Sequence, residues 1–360
     1  MKKIFLLTLI FVSASFFRLY PVNTELSRAI LSTLDSSLNR FVDDYGSVQG
    51  LTLTSSFYDG RASTGAFPSF KLDFSLGSVF QTTPFAFLSD VSVFGWTFDN
   101  MKTELGATYD NNLAFFDNYF FPLPAFGSRI EVGLPMNFSA GLCFNVLPLT
   151  PIFNYASQTV PALAMFGELM YWSVGSNLRY TILRDANFTP DVSVNFGVIY
   201  SDFTFALTDI SVGSFDLDTD NKSVPAAFGF NTRFCSTVFY LEAAISKKFM
   251  FFRPFLNMKL VQTLVYNESE FYVQLDMTGA TGSAKDVYGN GRMSSSNYAD
   301  GTGVIGAYTD FVITTGFDFV MGIFTLGLQG GFSTVTRKGS ATLAFGFNPD
   351  RAAFIKENNR

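Results

Sequence analysis

The sequence contains no histidine. The most versatile general base and metal ligand is therefore missing, and with it the His-dependent routes to an activated serine, cysteine or water. Charge is scarce as well: 24 Lys and Arg against 30 Asp and Glu make only 15% of the chain, where a soluble domain carries about a quarter. The net charge is −6 and no basic run occurs, which argues against nucleic acid as a partner. Two cysteines, Cys143 and Cys235, lie far apart and outside any metal-type cluster, so a disulfide scaffold is excluded and they read as two thiols on separate strands. Beyond the N-terminus no apolar run approaches the roughly 18 residues of a transmembrane helix.

What is abundant is aromatic: 45 Phe, 15 Tyr and 2 Trp, with 29 Gly. An apolar share of 48% joined to so little charge requires a large core or a lipid-facing surface. Met1-Lys2-Lys3, the apolar stretch Ile4 to Val12 and the small residues Ser13, Ala14 and Ser15 have the three regions of a secretory signal peptide, spanning 1–15 with an end as late as 23. No Cys follows to carry a lipid. From Thr24 to Tyr45 the apolar residues Leu26, Ile30, Leu34, Leu38, Phe41 and Tyr45 recur every three or four positions, which predicts an amphipathic helix capped by Thr24 and ended by Gly46. Residues 46–68 read as a Ser-, Thr- and Gly-rich connector with a short strand around Leu51 and Leu53.

From Ser69 the period changes to two and stays there. Phe70, Leu72, Phe74 and Leu76 alternate with Lys71, Asp73, Ser75 and Gly77; Met136 to Val146 alternate with Asn137, Ser139, Gly141, Cys143 and Asn145. The same dyad marks 192–200, 256–260, 270–277 and 311–319. Met321-Gly322 and Arg337-Lys338-Gly339 read as tight turns leading to Phe324, Leu326, Leu328 and to Leu343, Phe345, Phe347. Less regular strands fit 84–95, 103–109, 126–134, 166–182, 203–217 and 225–247, about 12–14 in all.

One all-β domain follows, and its charge-poor face separates it from a soluble sandwich. In a bilayer every backbone polar group must be paired within the protein, so a sheet spans only by closing on itself. The expected fold is a closed antiparallel transmembrane β-barrel over 46–348, with the helix at 24–45 as plug or periplasmic cap and 349–360 as a tail. Clusters such as Tyr119-Phe120-Phe121, Tyr171-Trp172 and Phe249 to Phe252 suit interface girdles. The long loop Gly279 to Gly303 is assigned to the outer side and the Met321-Gly322 turn to the periplasmic side.

Motifs for chemistry are few. Gly301-Thr302-Gly303-Val304-Ile305-Gly306 matches a dinucleotide fingerprint in letters, but a polar loop precedes it and β-type alternation follows, so no nucleotide site is expected. Asp286, Asn290 and Asp300 lack calcium-loop spacing and read as solvated loop residues. Neither cofactor nor metal is expected. The polar face remains: Lys71, Asp73, Asn137, Asn145, Arg179, Asp191, Asn195, Asn257, Lys259, Glu270, Asp276 and Asp318 are the candidates for the lumen, where charges of both signs tune a pore or brace a closed wall.

Over residues 69–348 the pattern resembles bacterial outer-membrane β-barrel proteins. The layout, a helix before the barrel, is similar to the long-chain fatty-acid transporter family, whose N-terminal hatch plugs the lumen. That family's Asn-Pro-Ala hatch signature is absent from 16–68, and Phe347 is followed by thirteen residues rather than ending the chain. The resemblance implies a channel or transporter for small or hydrophobic solutes in the outer membrane of a two-membrane bacterium, without covalent chemistry. Its partners would be outer-membrane lipids, a small-molecule or lipid cargo and the barrel-assembly machinery. A structural or adhesive barrel acting through surface loops is the competing class, and a secreted soluble β-protein a third. Closure predicts heat-modifiable migration after detergent extraction; identical mobility of boiled and unboiled samples would contradict it.

Overall fold

The computed structural model describes residues 46–58, 60, 62, 67, 69–81, 121–148, 166–185, 188–216, 223–275, 292–296 and 304–348. The signal-peptide region, the helix expected at 24–45, the strands expected at 84–95 and 103–109, Asp276 and the tail lie outside them.

Eleven strands are present among the described residues: β1 (Ser69–Gln81), β2 (Phe121–Gly133), β3 (Phe138–Pro148), β4 (Phe166–Leu183), β5 (Asp191–Asp216), β6 (Ser223–Ser246), β7 (Phe252–Leu275), β8 (Arg292–Ser296), β9 (Val304–Met321), β10 (Phe324–Ser333) and β11 (Gly339–Phe347). Ten of them form a ring in which every neighbour is antiparallel, and β11 pairs back onto β1 from Leu72↔Phe347 to Phe80↔Gly339. The short β8 adds to the upper part of β7 beside β9. The protein is a closed transmembrane β-barrel.

Ten strands rather than 12–14 close the ring: two of the expected strands, 84–95 and 103–109, fall outside the described residues between β1 and β2, which pair directly, and strand length accounts for two more. The alternations at 192–200 and 203–217 belong to one strand of 26 residues, β5, and those at 256–260 and 270–277 to one of 24 residues, β7. A membrane crossing needs about 9–11 residues. At about 3.3 Å per residue β7 runs for about 80 Å, so β5, β6 and β7 project well beyond a bilayer.

The outward face records where the bilayer stops. On β7 it runs Leu256, Met258, Leu260, Gln262 and Leu264, then turns to Tyr266, Glu268, Glu270, Tyr272 and Gln274. On β4 it runs from Tyr180 through Leu178 and Val174 to Trp172, whose ring meets Tyr200 of β5 at 5.3 Å. At the other edge Phe138 meets Tyr180 at 4.9 Å, and Phe251 of the β6–β7 turn clusters with Phe252 of β7 and Phe317 and Phe319 of β9. Aromatic rings thus flank an apolar band, as lipid interfaces favour. Above it, Arg233 of β6 grips Asp202 of β5 through Nε at 3.1 and 3.2 Å, a polar exterior suited to water.

Continuity also fixes which face each residue takes. The β6–β7 register runs from Ser246↔Phe255 to Ala226↔Leu275 without a bulge, so Glu270 shares the outer face with Leu256. Its placement in the lumen is therefore corrected. Asn137 is corrected too: it sits with Met136 in the β2–β3 turn at φ 66° and 59°, the left-handed pair of a two-residue hairpin, and its exposed side chain accepts a bond from Arg184 Nε at 3.1 Å.

The two ends of the barrel differ. The β2–β3, β4–β5, β6–β7 and β9–β10 links are short, the last turning at Gly322 with φ 61°. The connections 82–120, 149–165, 217–222 and 276–303 leave from the opposite end, where Arg337 (φ 57°) completes the β10–β11 turn. The Met321-Gly322 turn and the long loop are thus at opposite ends. Leu260→Arg, at mid-band, should lower stability in lipid vesicles by about 2–4 kcal/mol, whereas Glu270→Arg on the projecting wall should change it by less than about 0.5 kcal/mol; urea unfolding in vesicles measures both.

Candidate functional site

The lumen is occupied. Residues 46–55 form a helix, α1, where sequence spacing suggested a connector and a short strand. Val48, Leu51 and Leu53 are fully buried, and so are the polar residues between them. A helix enclosed on all sides has no solvent stripe, so its sequence carries no amphipathic period. Thr52 Oγ1 donates to Val48 O at 3.0 Å and Thr54 Oγ1 to Gly50 O at 2.7 Å within the helix, Ser56 Oγ just past its end donates to Leu53 O at 2.7 Å, and Ser55 Oγ donates to Ser340 Oγ of the wall at 2.9 Å. Such back-bonding lets Ser and Thr be buried in a helix without orphaned groups.

The fit to the wall depends on small residues. A Cβ at Gly50 would stand 2.7 Å from Thr263 Oγ1, and one at Gly127 of β2 would stand 1.9 Å from Ser56 O. A helix with side chains is about 10–12 Å across; glycine on both surfaces lets a ten-stranded bore hold one. Around Leu51, Leu53 and Phe57 the wall contributes Val79, Cys143, Ile199, Val238, Val261 and Val312, an apolar belt drawn from six strands. Cys143 faces this belt and is a free thiol, as is Cys235 on β6.

Beneath the belt lies a charged girdle. Glu131 of β2 meets Arg129 at 3.2 Å and Arg179 of β4 at 3.7 Å; Arg179 reaches Glu242 of β6 at 3.7 Å, and Glu242 reaches Lys259 of β7 at 3.3 Å. Lys71 and Asp73 pair on β1 at 2.7 Å, and Arg253 faces Asp318 across β7 and β9 at 3.9 Å. The girdle closes on the plug itself. Lys259 Nζ donates to Thr54 O at 3.3 Å, Thr342 Oγ1 to Ser55 O at 2.9 Å, Ser75 Oγ to Ser56 O, and Arg129 Nη1 to Tyr58 O at 3.5 Å. Tyr58 Oη donates to Asp318 Oδ1. The last turn of a helix presents unsatisfied carbonyls and about half a negative charge, and here lysine, arginine and hydroxyls meet it. A cavity of about 10 Å³ lined by Tyr58, Lys71, Asp73, Arg253 and Asp318 has room for about one water.

Of the sequence candidates, Lys71, Asp73, Arg179, Lys259 and Asp318 come together in this girdle. Asn145 Nδ2 donates to Ser173 Oγ at 2.9 Å and Asn195 Oδ1 accepts from Asn177 at 3.0 Å, bracing neighbouring strands inside the barrel. Asn257 is buried in the same interior, and Asp191 accepts from the Asp185 amide at 2.7 Å in the β4–β5 turn. Sequence reasoning passed over Arg129, Glu131, Glu242, Arg253 and Tyr58. The first two alternate with Ile130 and Val132, a signal open to discovery; Tyr58 carried none, since its partner is 260 positions away. Among the described residues no group of three acidic or sulfur ligands is arranged for a metal.

No family model matches the chain, and no curated protein does. Among solved structures, the outer membrane protease OmpT from Escherichia coli is similar at 10% identity and a TM-score of 0.32, covering 79% of this chain and 97% of its own. The Ralstonia pickettii toluene transporter TbuX is similar at 8% and 0.28, covering 79% and 90%. The translocator domain of the Neisseria meningitidis autotransporter NalP is similar at 8% and 0.27, covering 86% and 96%. Overlap of this degree bears on neither activity nor cargo. The class, a closed barrel of the outer-membrane type, follows from the strand pairing and the apolar outer band described above.

Removing Glu242 leaves Arg179 and Lys259 buried without that carboxylate, and breaking a buried ion pair costs about 3–5 kcal/mol. Glu242→Ala should therefore lower the urea midpoint far more than Asp202→Asn on the hydrated exterior, which should cost about 1 kcal/mol or less.

Proposed function

We propose that the protein is an outer-membrane channel or transporter for small or hydrophobic solutes, performing no covalent chemistry and closed at rest by residues 46–58. The observation that carries this reading is that a separate stretch of chain, and not the wall's own side chains, fills the bore. The wall facing it combines the apolar belt with Gly, Ser, Thr and paired charges, so withdrawal of the plug leaves a passage about as wide as a helix, apolar at the belt and polar beneath it. Burial of Val48, Leu51, Leu53 and Phe57 holds the plug by about 1.5–3 kcal/mol per side chain, so passage requires a trigger or work. The end bearing the short turns is assigned to the periplasm, following the habit of outer-membrane barrels.

A second reading, a closed barrel acting through its surface, is favoured by one observation: β5, β6 and β7, at 26, 24 and 24 residues, raise a polar wall far above the lipid band.

Conductance in planar bilayers separates the two. Leu51→Asp with Leu53→Asp should open a conducting path where the natural chain is silent. Ser55 and Ser340, whose hydroxyls are 2.9 Å apart, allow a disulfide lock: Ser55→Cys with Ser340→Cys, in the loosened background with Cys143 and Cys235 replaced by serine, should be silent when oxidised and conduct when reduced. A loosened plug that conducts nothing in a heat-modifiable, folded barrel would overturn the channel reading and leave the surface one.

A further inference from the structure

The two ends of the wall differ in outer chemistry as well as in loop length. At the loop end β5, β6 and β7 pass from the lipid band into Asp202, Arg233, Glu268 and Glu270. At the turn end the apolar surface continues to the tips. Phe67 leads into β1, Met136 lies in the β2–β3 link, Phe188 in the β4–β5 link, Met250 in the β6–β7 link and Met321 at the β9–β10 turn, and all five side chains are exposed. Met136 is 85% exposed, Met250 87% and Phe188 98%. Turns that stand in water are usually filled by Gly, Asn, Asp, Ser and Pro. Large apolar side chains at one connection after another mark a surface that something covers.

These turns are also held in place. Asn137 O accepts from Thr181 N at 3.0 Å, Asp185 accepts from Lys247 Nζ at 2.7 Å and from the Lys248 amide at 2.9 Å, and Lys247 Nζ donates to Thr189 O at 3.0 Å. Three successive links are thereby tied together through their polar atoms while their apolar tips stay outside. Asp185 and Asp191 are engaged within the turns, and Arg184 and Lys248 are exposed beside the tips.

Distance from the girdle identifies the cover. Met136 is two residues beyond Phe138, Met321 two beyond Phe319, and Met250 next to Phe251, and those three rings belong to the aromatic edge of the lipid band. At about 3.4 Å per residue the tips stand within about 7 Å of that edge. The headgroup layer on each side of the hydrocarbon is about 5–8 Å deep, so the tips end inside it. A protein partner would cover one sector of the rim, whereas lipid surrounds a barrel on all sides, and the tips are spread over links around the ring. Cations beside apolar tips suit a layer that carries phosphate over acyl chain.

We propose that the turn end is a membrane-docking rim whose tips, Met136, Phe188, Met250 and Met321, are seated in a phospholipid headgroup layer. The barrel then ends at the lipid surface on this side and stands clear of it only on the other, and the mouth of the bore beside the short turns opens at headgroup level. The proposal concerns depth in the membrane and holds whatever passes through the bore.

Depth-dependent quenching tests it. In the full chain with Cys143→Ser and Cys235→Ser, the same small fluorophore is attached at Met136→Cys, Met250→Cys or Glu270→Cys. Each barrel is reconstituted in vesicles of phosphatidylethanolamine and phosphatidylglycerol with acrylamide on both sides. The two tip probes should be quenched by acrylamide about fivefold less than the Glu270→Cys probe, and a nitroxide on the lipid headgroup should quench them more than one deep in the acyl chain. Met321→Cys serves as an independent tip should a substitution disturb folding, which heat-modifiable migration reports. Tip probes as open to acrylamide as the Glu270→Cys probe, or quenched best by the deep nitroxide, would overturn the proposal. Probes open in pure lipid but shielded in native outer-membrane vesicles would assign the rim to a protein partner and overturn it as well.

Discussion

Pairing of every backbone N–H and C=O is the constraint from which the rest of the structure follows. Hydrocarbon offers these groups no alternative partner, so the sheet has to close, and β11 meets β1 over nine residue pairs to do so. Closure at ten strands sets the bore. A bore of that size is too wide for wall side chains as small as Gly and Ser to fill, and just wide enough for a helix. The plug is thus a consequence of strand number joined to wall composition, and its glycine contacts are the local expression of that fit.

The girdle solves a second problem raised by closure. Charged side chains cannot point into lipid, and a polar inner wall with a helix inside it has little water left to hydrate them. The relay from Arg129 through Glu131, Arg179 and Glu242 to Lys259 neutralises charges against each other and leaves cations for the carbonyls at the end of α1. One network therefore braces β2, β4, β6 and β7 against one another and fastens the plug. An occluded lumen and a rigid wall are the same interaction seen from two sides.

Much of this was legible in the chain. The change of period at Ser69, the poverty of charge and the aromatic clusters specified a closed antiparallel barrel, because period-two alternation with one apolar face has no other stable arrangement in lipid. Lys71, Asp73, Arg179, Lys259 and Asp318 were identifiable as inward residues for the same reason. The plug was not. Leu51 and Leu53, two apart among Ser and Thr, imitate a strand, and only enclosure by ten strands makes a helix with no polar face stable there. Strand number was hidden as well, since β5 and β7 change their outward chemistry halfway and read as separate segments.

The sequence by itself determined which side of each strand is greasy, that the sheet must be seamless, and that no histidine-based chemistry takes place, because these depend on residue type and local periodicity alone. Only the tertiary structure decided that ten strands suffice, that Glu270 faces outward, that residues 46–58 are the plug, and that Tyr58 and Lys259 fasten it. Those outcomes depend on register and on contacts between residues hundreds of positions apart, and long-range geometry of that kind leaves no mark in the local pattern.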